Sequence, residues 1–279
     1  MDLTAKVEKL QEILERLEAK VDSIIEERKE QTSRELQNTK KMPVIAMEML
    51  EKREAVSGSA ATPLKPSDIS KLPQPTFGSV VRYVVKEPFM SEMGEALINS
   101  PSEEVVSQHT IATNDNEILN ISLVPDLEDM ITKEDLGVNW LDTVEHMIVK
   151  FPNGSRTDAC SGPILYYWFS EGNAELCKDD YLIMSVVKFK VRLGCEDEFI
   201  EKICNSSISE KKIQRFVIQT DEREFISISK DSLDRKLENE DEALSNLDQL
   251  EHLLEFFGDS RTEARSGIVS DYFNARFLK

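Results

Sequence analysis

Three histidines, His109, His146 and His252, are the side chains of this 279-residue chain best suited to moving a proton near neutral pH. His109 lies in the stretch VSQHTIAT, where alternation puts Val105, Ser107, His109 and Ile111 on one face of a strand. If that face points into a closed interior, His109 is a candidate acid–base or ligand-contacting group. A satisfied edge-strand histidine is the plainer reading and stands beside it. The matching place later in the chain falls near Arg215, so His109 and Arg215 are the candidate catalytic residues. His146 and His252 each follow an aspartate, Asp142 and Asp248, by four residues. On a helix that spacing allows a hydrogen-bonded His–Asp link. The apolar stripes Leu141–Val144–Ile148–Phe151 and Leu247–Leu250–Leu254–Phe257 turn both histidines outward, which favours a surface or interface pair over a base.

Other groups carry weaker signals. Arg156 and Arg261 recur within SRTDACSG and SRTEARSG. An anion cradle is one reading. A structural turn is the better one, with the hydroxyls tying the backbone and each Arg bridging a nearby carboxylate such as Asp158 or Glu263. The Ser–Gly that follows reads as a turn before a strand. Cys195 has no positioned His or Asn partner in the sequence, so it is a poor nucleophile. The aromatic run ILYYWF, Ile164 to Phe169, is apolar on both alternating faces and suits a doubly buried strand, or the wall of an apolar ligand cavity. There is no glycine-rich phosphate loop, zinc spacing or calcium loop. The expectation is therefore no cofactor and no metal.

The elements that position these residues are written twice. SVVRYVV from Ser79 matches SVVKFKV from Ser185, LDTVEHM from Leu141 matches LDQLEHL from Leu247, and SRTDACSG from Ser155 matches SRTEARSG from Ser260. The order is kept and the offset is nearly constant, which marks a tandem duplication. Each copy reads as β-α-β-β-α-β. In the first, strands are expected at 80–85, 105–112, 118–124 and 162–169, and helices at 90–98 and about 139–151. In the second, strands fall at 183–191, 213–220, 224–229 and 267–273, with a helix after Gly194 and another at 247–257. Hairpin residues such as TNDNE and TDER, and the period of two in FISIS, support the strands. This order is the ferredoxin-like arrangement, with both helices on one face of a four-stranded sheet. The other face needs cover, for which the second copy packed face to face is the natural candidate, with a side-by-side arrangement as the alternative.

Ahead of the repeats, Leu3, Val7, Leu10, Leu14, Leu17, Val21 and Ile24 form a heptad seam, read as an intermolecular coiled coil, with one amphipathic helix folded back onto its own domains as the alternative. The fold class is thus α+β: two tandem ferredoxin-like (βαββαβ) domains, preceded by an N-terminal coiled-coil helix. The domains are a coiled-coil arm at 1–36, a Pro/Ser-rich linker at 37–76, a first repeat at 77–175 and a second at 176–279. The net charge of −19 argues against general binding to nucleic acid or anionic membranes. No stretch is apolar enough to span a bilayer. Four clustered cysteines, Cys160, Cys177, Cys195 and Cys204, read as free thiols in a reducing, cytoplasmic setting, although a disulfide between two of them stays open.

The second copy, through VVKFKVRLGCEDEFIEKI, FVIQTDEREFISIS, NLDQLEHLLEFF and SGIVSDYF, resembles the dimeric α+β barrel superfamily, in particular its antibiotic-biosynthesis monooxygenase-like group. The first copy departs from that pattern, reading EPFMSEMGEAL where the glycine turn would stand. The resemblance implies that the two ferredoxin-like (βαββαβ) domains form a pseudo-dimeric barrel. It is less specific for activity, because that superfamily holds cofactor-independent oxygenases, haem-binding enzymes, isomerases and proteins without known chemistry. The positive signal of the heptad seam leads to the expectation of a self-associating interaction or structural protein, a homo-oligomer joined through its N-terminal helix. The alternative is a cofactor-independent oxygenase or isomerase acting on a small apolar substrate in the cavity between repeats.

Overall fold

The structure is a computed structural model. It describes residues 64–99, 104–113, 116–128, 134–177, 180–205, 212–234 and 247–278. The arm at 1–36 and the linker as far as residue 63 lie outside these residues. The end of the linker makes one helical turn, α1 (Pro66–Ile69), with proline in its first turn, where the missing N–H costs nothing.

Eight long strands follow in the duplicated order. The first repeat contributes β1 (Phe77–Val85), helix α2 (Met90–Ile98), β2 (Ser107–Ala112), β3 (Glu117–Val124), helix α3 (Glu134–Val144), the two-residue β4 (Ile148–Val149) and the long β5 (Asp158–Phe169). A short helix, α4 (Glu171–Leu176), leads to the second repeat. That repeat contributes β6 (Leu182–Val191), helix α5 (Glu196–Asn205), β7 (Gln214–Asp221), β8 (Glu224–Ser232), the two-residue β9 (Leu254–Glu255) and the long β10 (Glu263–Phe273). Among the described residues no helix is long and apolar enough to cross a membrane.

The ladders close on themselves. The order β10-β2-β3-β1-β5-β7-β8-β6 returns to β10, with every neighbour antiparallel. β4 and β9 are side additions to β1 and β6. Closure removes the exposed edges that an open sheet must protect. Advancing four places around the ring takes each strand to its duplicate with direction kept, so the pseudo-twofold axis runs along the barrel axis. Two strands knit the repeats together. The first half of β5 pairs with β1 of its own repeat, and its second half pairs with β7 of the other. β10 likewise pairs first with β6 and then with β2.

The crossing points explain the repeated Ser–Gly. Gly162 and Gly267 are not in turns before a strand, as expected, but inside β5 and β10 where each changes partner. A Cβ on Gly162 would lie 1.7 Å from the Gln219 carbonyl oxygen, and one on Gly267 would lie 2.0 Å from that of Ala112. Only a residue without a side chain lets the backbones approach so closely.

The strands are buried on both faces, which is why they read as apolar in both parities. Inside, Val80, Ile111, Ile121, Met184, Phe216 and Ile228 belong to one buried cluster. Eight strands leave an interior that side chains can fill. Outside, α2 covers the first repeat through Met90, Met93 and Leu97, against Tyr83, Val85 and Ile118. α5 covers the second through Phe199 and Ile203. Phe199 is fully buried, with its ring centroid 5.4 Å from Phe189 and 4.9 Å from Phe225. Truncating such a residue to alanine typically costs about 3–5 kcal/mol.

The late helices are shorter than the apolar stripes predict. α3 stops at Val144 and gives way to a 3-10 turn, Glu145–Met147, because Ile148 and Val149 are drawn into β4 beside β1. In the second repeat, residues 247–250 are helical, Glu251–Leu253 is a 3-10 turn, and Leu254 enters β9. His146 and His252 sit in those 3-10 turns and are exposed. Their expected aspartate partners bond elsewhere. Asp142 accepts from Arg156 at 2.5 Å, and Asp248 accepts from Arg261 at 2.5 Å. The repeated Arg and the repeated Asp therefore pair with one another, tying each helix to the loop before its last strand. Exposed pairs of this kind add little stability.

Candidate active site

Alternation along each strand decides which side chains enter the barrel. On β2, Ser107, His109 and Ile111 point inward, while Gln108 points out and donates its Nε2 to the carbonyl of Leu97 at the end of α2, at 3.0 Å. On β7, Gln214, Phe216 and Ile218 point inward, while Arg215 points out and donates its Nη2 to the carbonyl of Ile203 near the end of α5. The Arg215 guanidinium also lies 5.6 Å over the Tyr166 ring. Burial pulls its pKa down from the usual arginine value, against the opposing pull of Tyr166 and Cys204. The structure thus places His109 inside and Arg215 outside and does not bring them together. The counterpart of His109 is Phe216: His109 faces Ile121 in its hairpin, as Phe216 faces Ile228 in the other. Arg215 matches Gln108, and both secure the end of a covering helix.

At one end of the barrel His109 meets partners that the sequence keeps far apart. Its Nδ1 lies 2.6 Å from Oδ1 of Asp271 on β10, the residue directly across the ladder. The other carboxylate oxygen of Asp271 accepts from Nζ of Lys230 on β8 at 2.9 Å. His109 Nε2 lies 3.3 Å from Ser107 Oγ. His109 is fully buried, the Lys230 side chain is 3% exposed and that of Asp271 17%. Aromatic rings surround the group. Phe216 and Phe273 lie 6.1 and 5.8 Å from the imidazole, and Lys230 Nζ is 5.3 Å over the Phe273 ring. Next to Phe216, Tyr167 comes from β5, with ring centroids 6.3 Å apart.

The electrostatics assign the protons. Burial alone would raise the pKa of Asp271, but Lys230 and His109 more than offset it and hold the carboxyl well below the usual carboxylate range. Burial lowers the pKa of His109, partly opposed by its hydrogen bond to Asp271. At neutral pH the histidine is uncharged, Nδ1 carries the proton and donates it to Asp271, and Nε2 presents a lone pair. The Ser107 hydroxyl donates to that lone pair. Burial, reinforced by the charge of Asp271 and opposed by the Gln214 hydrogen bond, pushes Tyr167 up to about 12, so its phenol stays protonated.

The opposite end is closed differently. Glu117 on β3 accepts from Arg82 at 3.3 Å and from Arg265 of the other repeat at 2.9 Å, and Lys188 pairs with Glu224 at 2.7 Å. The repeats thus place a hydrogen-bonded base at one mouth and ion pairs at the other. Sequence reasoning found His109 but missed Asp271 and Lys230. Asp271 could have been read from alternation in SGIVSDYF, which puts it on the same face as Val269. Its contact with His109 is a consequence of closure and has no local signal.

Comparison with solved structures fixes the fold. A candidate monooxygenase of Lactobacillus acidophilus NCFM superposes with a TM-score of 0.54 at 8% identity, covering 72% of this chain and 97% of its own. One from Fusobacterium nucleatum gives 0.56 at 10% identity, covering 71% and 94%. An anthrone oxidase-like protein gives 0.51 at 11% identity, covering 74% and 96%. The fold is the dimeric α+β barrel. Here the dimeric α+β barrel is made by tandem duplication within one chain, and nearly the whole of each neighbour's chain is used in the match. No protein-family model matches the sequence, and no curated protein matches it. The expectation of a self-associating interaction or structural protein is overturned by these neighbours, which favour the enzyme alternative.

Proposed function

We propose that this barrel is an oxygenase of the cofactor-independent kind that the sequence resemblance implies, acting on a small apolar substrate at the His109 end. The carrying observation is His109 itself: buried among aromatic rings, oriented by an ionised Asp271, with Nε2 in contact with the Ser107 hydroxyl, which a substrate must displace to use it as a base. The solved neighbours, candidate monooxygenases and an anthrone oxidase-like protein, support this choice of chemistry.

In this reading His109 Nε2 takes a proton from an activated methylene flanked by aromatic or carbonyl groups. The resulting carbanion gives electrons to dioxygen and forms a carbon–oxygen bond as a peroxide, and the imidazolium returns its proton to the distal oxygen. Loss of the second methylene proton breaks the O–O bond and leaves a ketone and water. One oxygen atom enters the product and the other leaves as water, so the substrate supplies all four electrons. Asp271 steadies the imidazolium, and Lys230 keeps Asp271 ionised. Arg215 supports the site from outside by securing α5. An isomerase would use the same base without consuming oxygen.

The test is oxygen uptake by the purified full chain with anthrone as the probe. His109→Gln should lower the rate by about 10²–10⁴-fold, the usual contribution of a positioned base. A folded His109→Gln protein with the wild-type rate would sink the assignment. The heptad seam at 1–36 further supports an arm that joins copies of the barrel into an oligomer, separate from the chemistry. Deleting residues 1–36 should then lower the number of chains per particle measured by sedimentation, and an unchanged number rejects that role. The free thiols of the four cysteines are in keeping with a cytoplasmic setting.

A further inference from the structure

The pseudo-twofold axis gives the His109 site a second copy in position but not in chemistry. Matching ladder pairs identify the counterparts. His109 answers to Phe216, and Ser107 to Gln214. Asp271, across from His109, answers to Tyr167, across from Phe216. Lys230, across from Gln214, answers to Leu123, across from Ser107. The base and both charges are missing from the second set. What replaces Ser107 and Asp271 is a carboxamide and a phenol.

These two groups carry unused hydrogen-bonding capacity. Gln214 is fully buried and its Oε1 has no hydrogen-bond partner, although a buried amide oxygen almost always finds one. Its Nε2 donates to the Tyr167 hydroxyl at 3.4 Å, leaving the phenolic proton for another acceptor. Side by side they offer one acceptor, Gln214 Oε1, and one donor, Tyr167 O–H. A hydroxyl group is the simplest ligand that satisfies both at once, since it donates once and accepts once. A carboxylate or phosphate would leave Oε1 facing another acceptor, and the nearby cation, Lys230, is already matched to Asp271. The net charge of −19 opposes anions as well.

We propose that Gln214 and Tyr167 form the recognition half of the site, binding the neutral hydroxyl group of an alcohol or phenol with an apolar body, one ligand per chain. The duplication has divided the labour: one set of positions moves protons and the other holds the ligand. This rests on the oxygenase reading for the purpose of the site, but the binding it predicts is measured without turnover.

The experiment is isothermal titration of the full chain under nitrogen with 2-naphthol and with naphthalene, which differ by the hydroxyl alone. The wild-type chain should bind one 2-naphthol and prefer it over naphthalene by about tenfold, the worth of one good hydrogen bond. Gln214→Leu should erase that preference, and Tyr167→Phe should reduce it. Circular dichroism establishes that each variant is folded, and the two variants test the same claim independently. His109→Gln should keep the preference while losing oxygen uptake. A wild-type chain that binds neither probe, or binds both equally, overturns the proposal, as does a preference that survives in both Gln214→Leu and Tyr167→Phe. Unchanged oxygen uptake in His109→Gln would instead remove the assignment of His109 as the base and leave the hydroxyl site standing.

Discussion

The pairing of Lys230 on β8 with Asp271 on β10 permits a quantitative test. Replacing Asp271 with asparagine keeps its shape but leaves the Lys230 ammonium, 3% exposed, without a counter-charge. Removing one partner of a buried pair typically costs about 3–5 kcal/mol. Because the Asp271 side chain is 17% exposed and water can move toward the gap, the lower end applies, about 3 kcal/mol. Lys230→Met is milder, because Asp271 still accepts from His109 and meets solvent, and about 1–2 kcal/mol is expected. The double variant Asp271→Asn/Lys230→Met has no stranded charge and should be no less stable than Asp271→Asn alone. The coupling between the two positions is then about 1–2 kcal/mol. Urea unfolding followed by circular dichroism at pH 7 measures all four proteins. A double variant whose loss equals the sum of the single losses, to within about 0.5 kcal/mol, would refute the argument that the two charges depend on each other.

Acid should weaken both fold and activity, with a defined sign. His109 titrates lower in the folded chain than in the unfolded one, so the unfolded chain binds the extra proton first. Its contribution to stability is complete above about pH 6.5 and is lost as pH falls below that value, and Asp271 adds a loss of the same sign below about pH 4. The acid limb of kcat/KM should have its midpoint below about 6.5, and a midpoint above 7 in the pH–rate profile would contradict a desolvated base. At the crossing of β10, Gly267→Ala requires the chains to part by more than 1 Å, since its Cβ would lie 2.0 Å from the Ala112 oxygen where ordinary contact begins near 3.4 Å. The expected loss is about 3 kcal/mol, or roughly 6–12 °C in Tm. Gly137→Ala, with nothing within 4 Å, is the control, and equal melting of the two variants would show that the close approach is unimportant.

Local pattern was enough to read most strands. α2 falls at the expected residues Met90–Ile98, and the hairpins β2–β3 and β7–β8 fall within a few residues of expectation. Their signals are short-ranged: alternation, turn residues and an apolar face. The late helices were overestimated for a tertiary reason. Leu141, Val144 and Ile148 keep a helical spacing, yet Ile148 gains a ladder partner in Val85 that a continuing helix would forgo. The Ser–Gly motif was found but misread, because the oxygen atoms that forbid a side chain at Gly162 and Gly267 belong to residues remote in sequence.

By itself the sequence determined the duplication, the order of elements and the residues that share a strand face with His109. It also determined the resemblance to the dimeric α+β barrel, which the solved neighbours bear out as a fold. Tertiary structure alone decided the site. Arg215 and Gln214 are adjacent in the chain, and a shift of one residue in register reverses the face to which each belongs. Asp271 lies 162 residues from His109, and only the closing of β10 onto β2 sets them in hydrogen-bond contact. Periodicity in a strand is local and can be read along the chain, whereas the partner across a closed ladder is fixed by how the whole ring fits together.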